Sequence, residues 1–75
     1  MRVFFTDHAR ARMVLRKVSV GMVRLALTTP DKSDIGRQGK LIVFRKFIGK
    51  GTIKVVYLKV KDKFLIISVI WHHKE

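Results

Sequence analysis

Seventy-five residues suffice for one hydrophobic core and not for two, so the chain reads as a single domain over residues 1–75. With 48% apolar residues against 29% charged, it is too hydrophobic for a disordered basic tail, and its cations must decorate a folded surface. Seventeen Lys and Arg against five Asp and Glu leave a net charge of +12, a self-repulsion that a polyanion or an acidic protein would relieve, while the lack of cysteine excludes disulfides and thiolate metal sites.

Val3, Phe4 and Phe5 form a short apolar lead-in, and Thr6-Asp7 offers side-chain oxygens to cap a helix. From Asp7 to about Lys17, Ala9, Met13 and Leu15 supply apolar positions, while His8, Arg12 and Arg16 fall four apart on one cationic stripe. Ser19 reads as a second cap, and Val20, Val23, Ala26 and Leu27 give an apolar face that Pro30 ends. Asp31 to Gly39 is polar and reads as a loop or a weak edge strand. Three β-rich runs follow, Leu41–Ile48, Ile53–Val60 and Phe64–Trp71, separated by the turn signals Gly49-Lys50-Gly51-Thr52 and Lys61-Asp62-Lys63. The expected fold is α+β: an N-terminal helical hairpin packed on a C-terminal antiparallel sheet of three to four strands. Met13, Met22, Phe4 and Phe5 are expected in its core.

The last two runs are apolar on both faces, which a sheet covered by helices on one side does not require. The second face is therefore expected to meet the C-terminal segment, a second copy of the chain in a homodimer, or a partner protein. No stretch reaches the roughly 20 apolar residues of a membrane span, and the N-terminal apolar run is too short for a signal peptide. A cytoplasmic protein with no membrane partner is the expectation.

The five acids, Asp7, Asp31, Asp34, Asp62 and Glu75, are dispersed, so no metal site and no cofactor is expected and two-metal phosphoryl chemistry is disfavoured. RNA permits hydrolysis without metal, because its 2′-hydroxyl attacks the adjacent phosphate once a base takes the proton and cations stabilise the phosphorane. His8, His72, His73, Arg45, Lys46, Lys54 and Tyr57 are the groups available for that chemistry. Surrounding cations disfavour further protonation, which suits a base. Phe44, Phe47, Tyr57 and Trp71 interleave with the basic residues and offer rings for unpaired bases or for the core. The plainer readings stand beside these: His8 as a surface or capping group, the His72–Glu75 stretch as a frayed tail, and Arg10, Arg12, Arg16 and Arg24 as a solvated face that attracts phosphate.

The run His8-Ala9-Arg10-Ala11-Arg12-Met13, with Arg16, Val18-Ser19, Ala26-Leu27 and Pro30-Asp31 after it, resembles a small bacterial and archaeal family of unknown function marked by HAxxRM. Lys46, Ile48-Gly49 and Val55-Val56-Tyr57 fit the same family, which looks related to the RelE/ParE toxin superfamily. That resemblance implies a toxin-like, metal-independent endoribonuclease or translation inhibitor acting on RNA, on or off the ribosome, with an acidic antitoxin. Through Lys54-Val55-Val56-Tyr57 and Ile70-Trp71-His72-His73 it implies catalytic roles for Lys54, His72 and Tyr57, to which His8 is added as a catalytic candidate by its residue type. Arg10, Arg12, Arg16, Arg45, Lys46 and His73 would bind the nucleic acid. A non-catalytic RNA-binding or ribosome-associated module and a gyrase inhibitor are the alternatives; a Lys at position 54 where Arg is usual favours the first, since an ammonium cannot grip phosphate bidentately.

Strand register discriminates among these. A two-residue turn at Lys61-Asp62 sets Lys54 opposite Val69, facing away from His72, whereas a three-residue loop or a bulge sets Lys54 opposite Ile70 on the face of His72. The nucleic-acid reading also expects the cations to gather on one surface.

Overall fold

In the computed structural model, which describes residues 1–74, each helix begins where a hydroxyl can cap it. Thr6 Oγ1 accepts the Ala9 N–H at 3.1 Å and Ser19 Oγ accepts the Met22 N–H at 3.2 Å, so each satisfies one of the backbone donors a helix start leaves open. The elements are β1 (Arg2–Phe5), α1 (Asp7–Arg16), α2 (Val20–Thr28), β2 (Lys32–Ile35), β3 (Leu41–Phe47), β4 (Gly51–Val60) and β5 (Lys63–Lys74). Lys17 ends α1 in the left-handed region at φ 57°, its N–H directed to the Met13 and Val14 carbonyls.

The expected α+β class holds, but the sheet has five strands in the order β1-β5-β4-β3-β2 and is mixed, not an antiparallel sheet of three or four. β1 runs parallel to β5, pairing Arg2 with Lys63 through Phe5 with Ile66. Its four residues are too few to show a period, and its partner lies at the far end of the chain, so no local signal marks it as a strand. β2 is the opposite edge, and all four of its residues are exposed, which is why Lys-Ser-Asp-Ile carries no apolar alternation.

Both helices lie on one face of the sheet, α1 chiefly over β5 and α2 over β3 and β4. Ala9, Met13, Val18, Met22, Val23 and Ala26 meet Val43, Ile53, Val55, Ile66 and Val69 there, and no polar side chain joins them. Each of the fully buried aliphatics contributes about 1.5–3 kcal/mol of transfer free energy. Arg16 and Trp71 fasten α1 to β5 reciprocally, the Arg16 guanidinium donating to the Val69 carbonyl at 2.9 Å and the Trp71 indole N–H to the Arg16 carbonyl at 2.9 Å. Leu15 lies two residues past Met13, about 200° around the helix, and is exposed together with Val14; Phe4 is exposed too, against the expectation of a core position for it.

The other face carries Ile42, Phe44, Val56, Leu58, Leu65 and Ile70, all half-buried by one another. The C-terminal segment does not cover it, because β5 runs in the sheet to Lys74; Glu75 lies outside the described residues. No helix among the described residues is long and apolar enough to cross a membrane.

Gly51 opens β4 at φ +130°, buried, with a β-carbon position that would run into the His73 carbonyl oxygen and approach Lys74 Cα at 2.9 Å. Gly51→Ala is expected to destabilise the fold by roughly 2–4 kcal/mol and to loosen the end of β5. Gly39→Ala, at φ +76° in open space, should cost only about 1 kcal/mol. Chemical denaturation of the two variants measures the contrast.

Candidate nucleic-acid interface

The β4–β5 hairpin closes with the tighter of the two turns, since Val60 pairs with Lys63 across Lys61-Asp62, and Lys61 takes φ 58°. That turn alone would set Lys54 opposite Val69. Instead Tyr57 pairs with Ile66 and Val56 with Ser68, so Ile67 is a surplus residue in β5 and the register beyond it moves by one. Lys54 therefore pairs with Ile70, by the bulge route.

A second surplus residue follows at His72, because Ile53 pairs with Trp71 while Thr52 pairs with His73. A bulge re-aims its side chain, and the His72 ring comes edge-on to Phe44, centroids 4.8 Å apart with planes at 64°. Phe44 is the direct cross-strand partner of Lys54 on one side and of Lys32 on the other. Lys32 Nζ lies 5.6 Å from the Phe44 centroid, within cation–π range. Lys32, Phe44, Lys54 and Ile70 thus form one row across four strands of the open face, with Lys46, Thr52 and His73 in the next row.

A shallow cleft of about 380 Å³ opens at this corner, lined by Asp31, Lys32, Phe44, Lys46, Thr52 and His72. Asp31 Oδ2 accepts the Lys46 N–H at 2.6 Å and the Asp31 N–H donates to the Phe44 carbonyl at 2.8 Å, so this acid fixes the edge of the cleft. Asp31, Lys32 and Thr52 were not singled out by the sequence. Their signal was the hairpin around Gly36–Lys40, which pairs Ile35 with Leu41 and so brings Lys32 beside Phe44. Among the described residues no three His, Cys, Asp or Glu side chains are grouped so as to hold a metal ion.

The remaining candidates lie elsewhere. Tyr57 is three residues after Lys54 on β4, hence on the opposite face, where it packs against the core and its ring stands 5.5 Å from that of Phe64. His8 is exposed on the first turn of α1, in the helical layer. Arg10 and Arg12 ride on α1 with it, and the guanidinium of Arg16 is engaged with β5 as described. Arg45 alternates with Phe44 and Lys46 and points to the helical side, where Nη1 donates to the Thr29 carbonyl at 2.6 Å and to its hydroxyl at 2.8 Å. The cations consequently fall into groups and not onto one surface: Arg10, Arg12, Arg16 and Arg45 belong to the helical side, and Lys32, Lys46 and Lys54 with His72 and His73 to the open sheet.

A model of the family described as a domain of unknown function (DUF4258) matches residues 5–71, and the chain belongs to that family. The small family of unknown function suggested by the His8–Met13 motif agrees with this. Comparison with curated proteins finds no match, and comparison with solved structures finds none.

Burial pushes the Tyr57 phenol above its ordinary value of 10.0. Because the folded chain holds that proton more tightly, the phenol's contribution to stability is complete below the unfolded value and is lost as pH rises through the folded one. The sole tyrosine, followed by its alkaline absorbance change, should ionise at higher pH in the folded than in the unfolded protein. Tyr57→Phe should remove its share of the alkaline loss of stability.

Proposed function

We propose that this DUF4258 protein acts on RNA through the open face of its sheet, as a toxin-like, metal-independent endoribonuclease. An unpaired base stacks against the Phe44 ring, and the ammonium groups of Lys32, Lys46 and Lys54 meet the flanking phosphates. The observation that carries the reading is the position of His72, turned by its bulge onto Phe44 on the face that holds Lys54. In the cleavage step His72 takes the proton from a 2′-hydroxyl whose oxygen attacks the adjacent phosphorus. Lys54 stabilises the negative phosphorane, and the 5′-oxygen leaves by taking a proton from water, giving a 2′,3′-cyclic phosphate and a free 5′-hydroxyl. Resemblance to the RelE/ParE toxins supports the same chemistry. In that setting an acidic protein partner would compete with RNA for the cationic face.

One observation favours a second reading, a non-catalytic RNA-binding module. Tyr57 and His8, two of the four groups expected to act in catalysis, belong to the helical side of the molecule and not to the face of His72 and Lys54. Incubation of single-stranded RNA with the protein in chelator, with and without ribosomes, separates the two. The nuclease reading expects cyclic-phosphate ends that disappear in His72→Ala while binding persists. Binding without cleavage, unchanged in His72→Ala, selects the module. Under either, log affinity should fall with log salt at a slope of about −2 or steeper, shallower by about 0.7 in Lys54→Ala. Phe44→Ala should weaken binding by about 1–3 kcal/mol. Affinity that ignores both substitutions would remove this face from consideration, and inhibition of supercoiling in place of RNA binding would redirect the assignment to a DNA enzyme.

A further inference from the structure

A second hollow lies away from the Phe44–His72 corner. β1, α1 and the start of α2 leave a cleft of about 550 Å³ whose walls are mostly apolar, Val3, Val14, Val18 and Val20 beside Phe5 and Met13, and whose charged lining groups are Arg10 and Arg24. Val14 is 82% and Val20 47% exposed, an unusual state for two β-branched aliphatics that line one opening. The two helices lean chiefly on different strands, α1 on β5 and α2 on β3 and β4. Arg24 Nη1 reaches the Met1 carbonyl at 3.5 Å, which holds one guanidinium at the rim.

We infer that this cleft docks an acidic polypeptide segment, its aliphatic side chains seated between Val14 and Val20 and its carboxylates paired with Arg10 and Arg24. Charge selects the occupant. A second copy would bring +12 against +12, and no acidic group lines the cleft to receive it. Phe5, the one ring in the lining, is packed against the core, so the exposed walls offer valine where a nucleic acid would want an open ring face to stack on. An acidic amphipathic chain satisfies both features at once, apolar anchors for the floor and bidentate carboxylates for the two guanidinium groups. Because the cleft is in the helical layer, such a partner leaves the open sheet face accessible. The inference is therefore independent of the RNA reading.

Selection of a displayed library of random peptides on the 75-residue protein, at about 0.15 M salt to screen diffuse attraction, tests it. The enriched sequences should combine Asp or Glu with Leu, Ile or Val. Synthesised, they should bind Val14→Ser/Val20→Ser and Arg10→Ala/Arg24→Ala roughly tenfold or more weakly, and Phe44→Ala with unchanged affinity. Val14 and Val20 lie outside the core, so thermal melts should confirm that the serine variant folds, and its RNA binding should be intact. Failure to enrich any peptide, enrichment of acidic sequences without aliphatic anchors, or affinity indifferent to the two valines would overturn the inference. So would binding lost in Phe44→Ala, which would place the peptide on the sheet face instead.

Discussion

β5 contains two more residues than its pairing with β4 and the turn at Lys61-Asp62 requires, and the arrangement of the open face follows from where that surplus sits. Side chains alternate strictly along a regular strand, so a register moved by one residue exchanges the contents of the two faces. With Ile67 unpaired, Val69 and Trp71 point to the helices, and Ile70 lies beside Lys54 on the opposite side. With His72 unpaired, its imidazole reaches the ring of Phe44. The same strand accepts β1 along Lys63–Ile66 and carries α1 along its remainder through Arg16 and Trp71. Core packing and the candidate site are thus two consequences of one irregular ladder.

The basic residues divide according to the element that bears them. Arginines on α1 and α2 lie over the helical layer, and part of that group is structural: Arg16 is fastened to Val69, and Arg45, from β3, to Thr29. Lysines on β2, β3 and β4 converge on the open face around one aromatic ring. A guanidinium bonding backbone carbonyls does positional work that an ammonium performs poorly, whereas flexible lysines suit a phosphate backbone of variable path. The high net charge therefore serves at least two surfaces, and total charge alone does not distinguish them.

Much of the architecture was legible. Thr6 and Ser19 were readable as caps because a hydroxyl before an apolar run satisfies a donor that the helix itself leaves open. The three long strands announced themselves by β-branched and aromatic density, and the doubly apolar character of the last two matches the uncovered face. β1 escaped notice because four residues give no period and its partner begins 61 positions later, at Lys63 for Arg2. Phe4 was misjudged as core because apolar character is not burial; the direction of the side chain decides, and that depends on which neighbour the element meets.

By itself the sequence determined composition, charge, the helix starts, the presence of a strand-rich second half and the residue types available for metal-free chemistry, because each is set by neighbouring residues or simple sums. Only the tertiary structure decided which of those residues meet. Lys54, Phe44 and His72 share a face, and Tyr57 does not share it, because of a one-residue surplus whose position is fixed by how both faces of β5 pack at once. No short window of sequence contains that information, since the contacts that select it lie on β1, β3, β4 and α1.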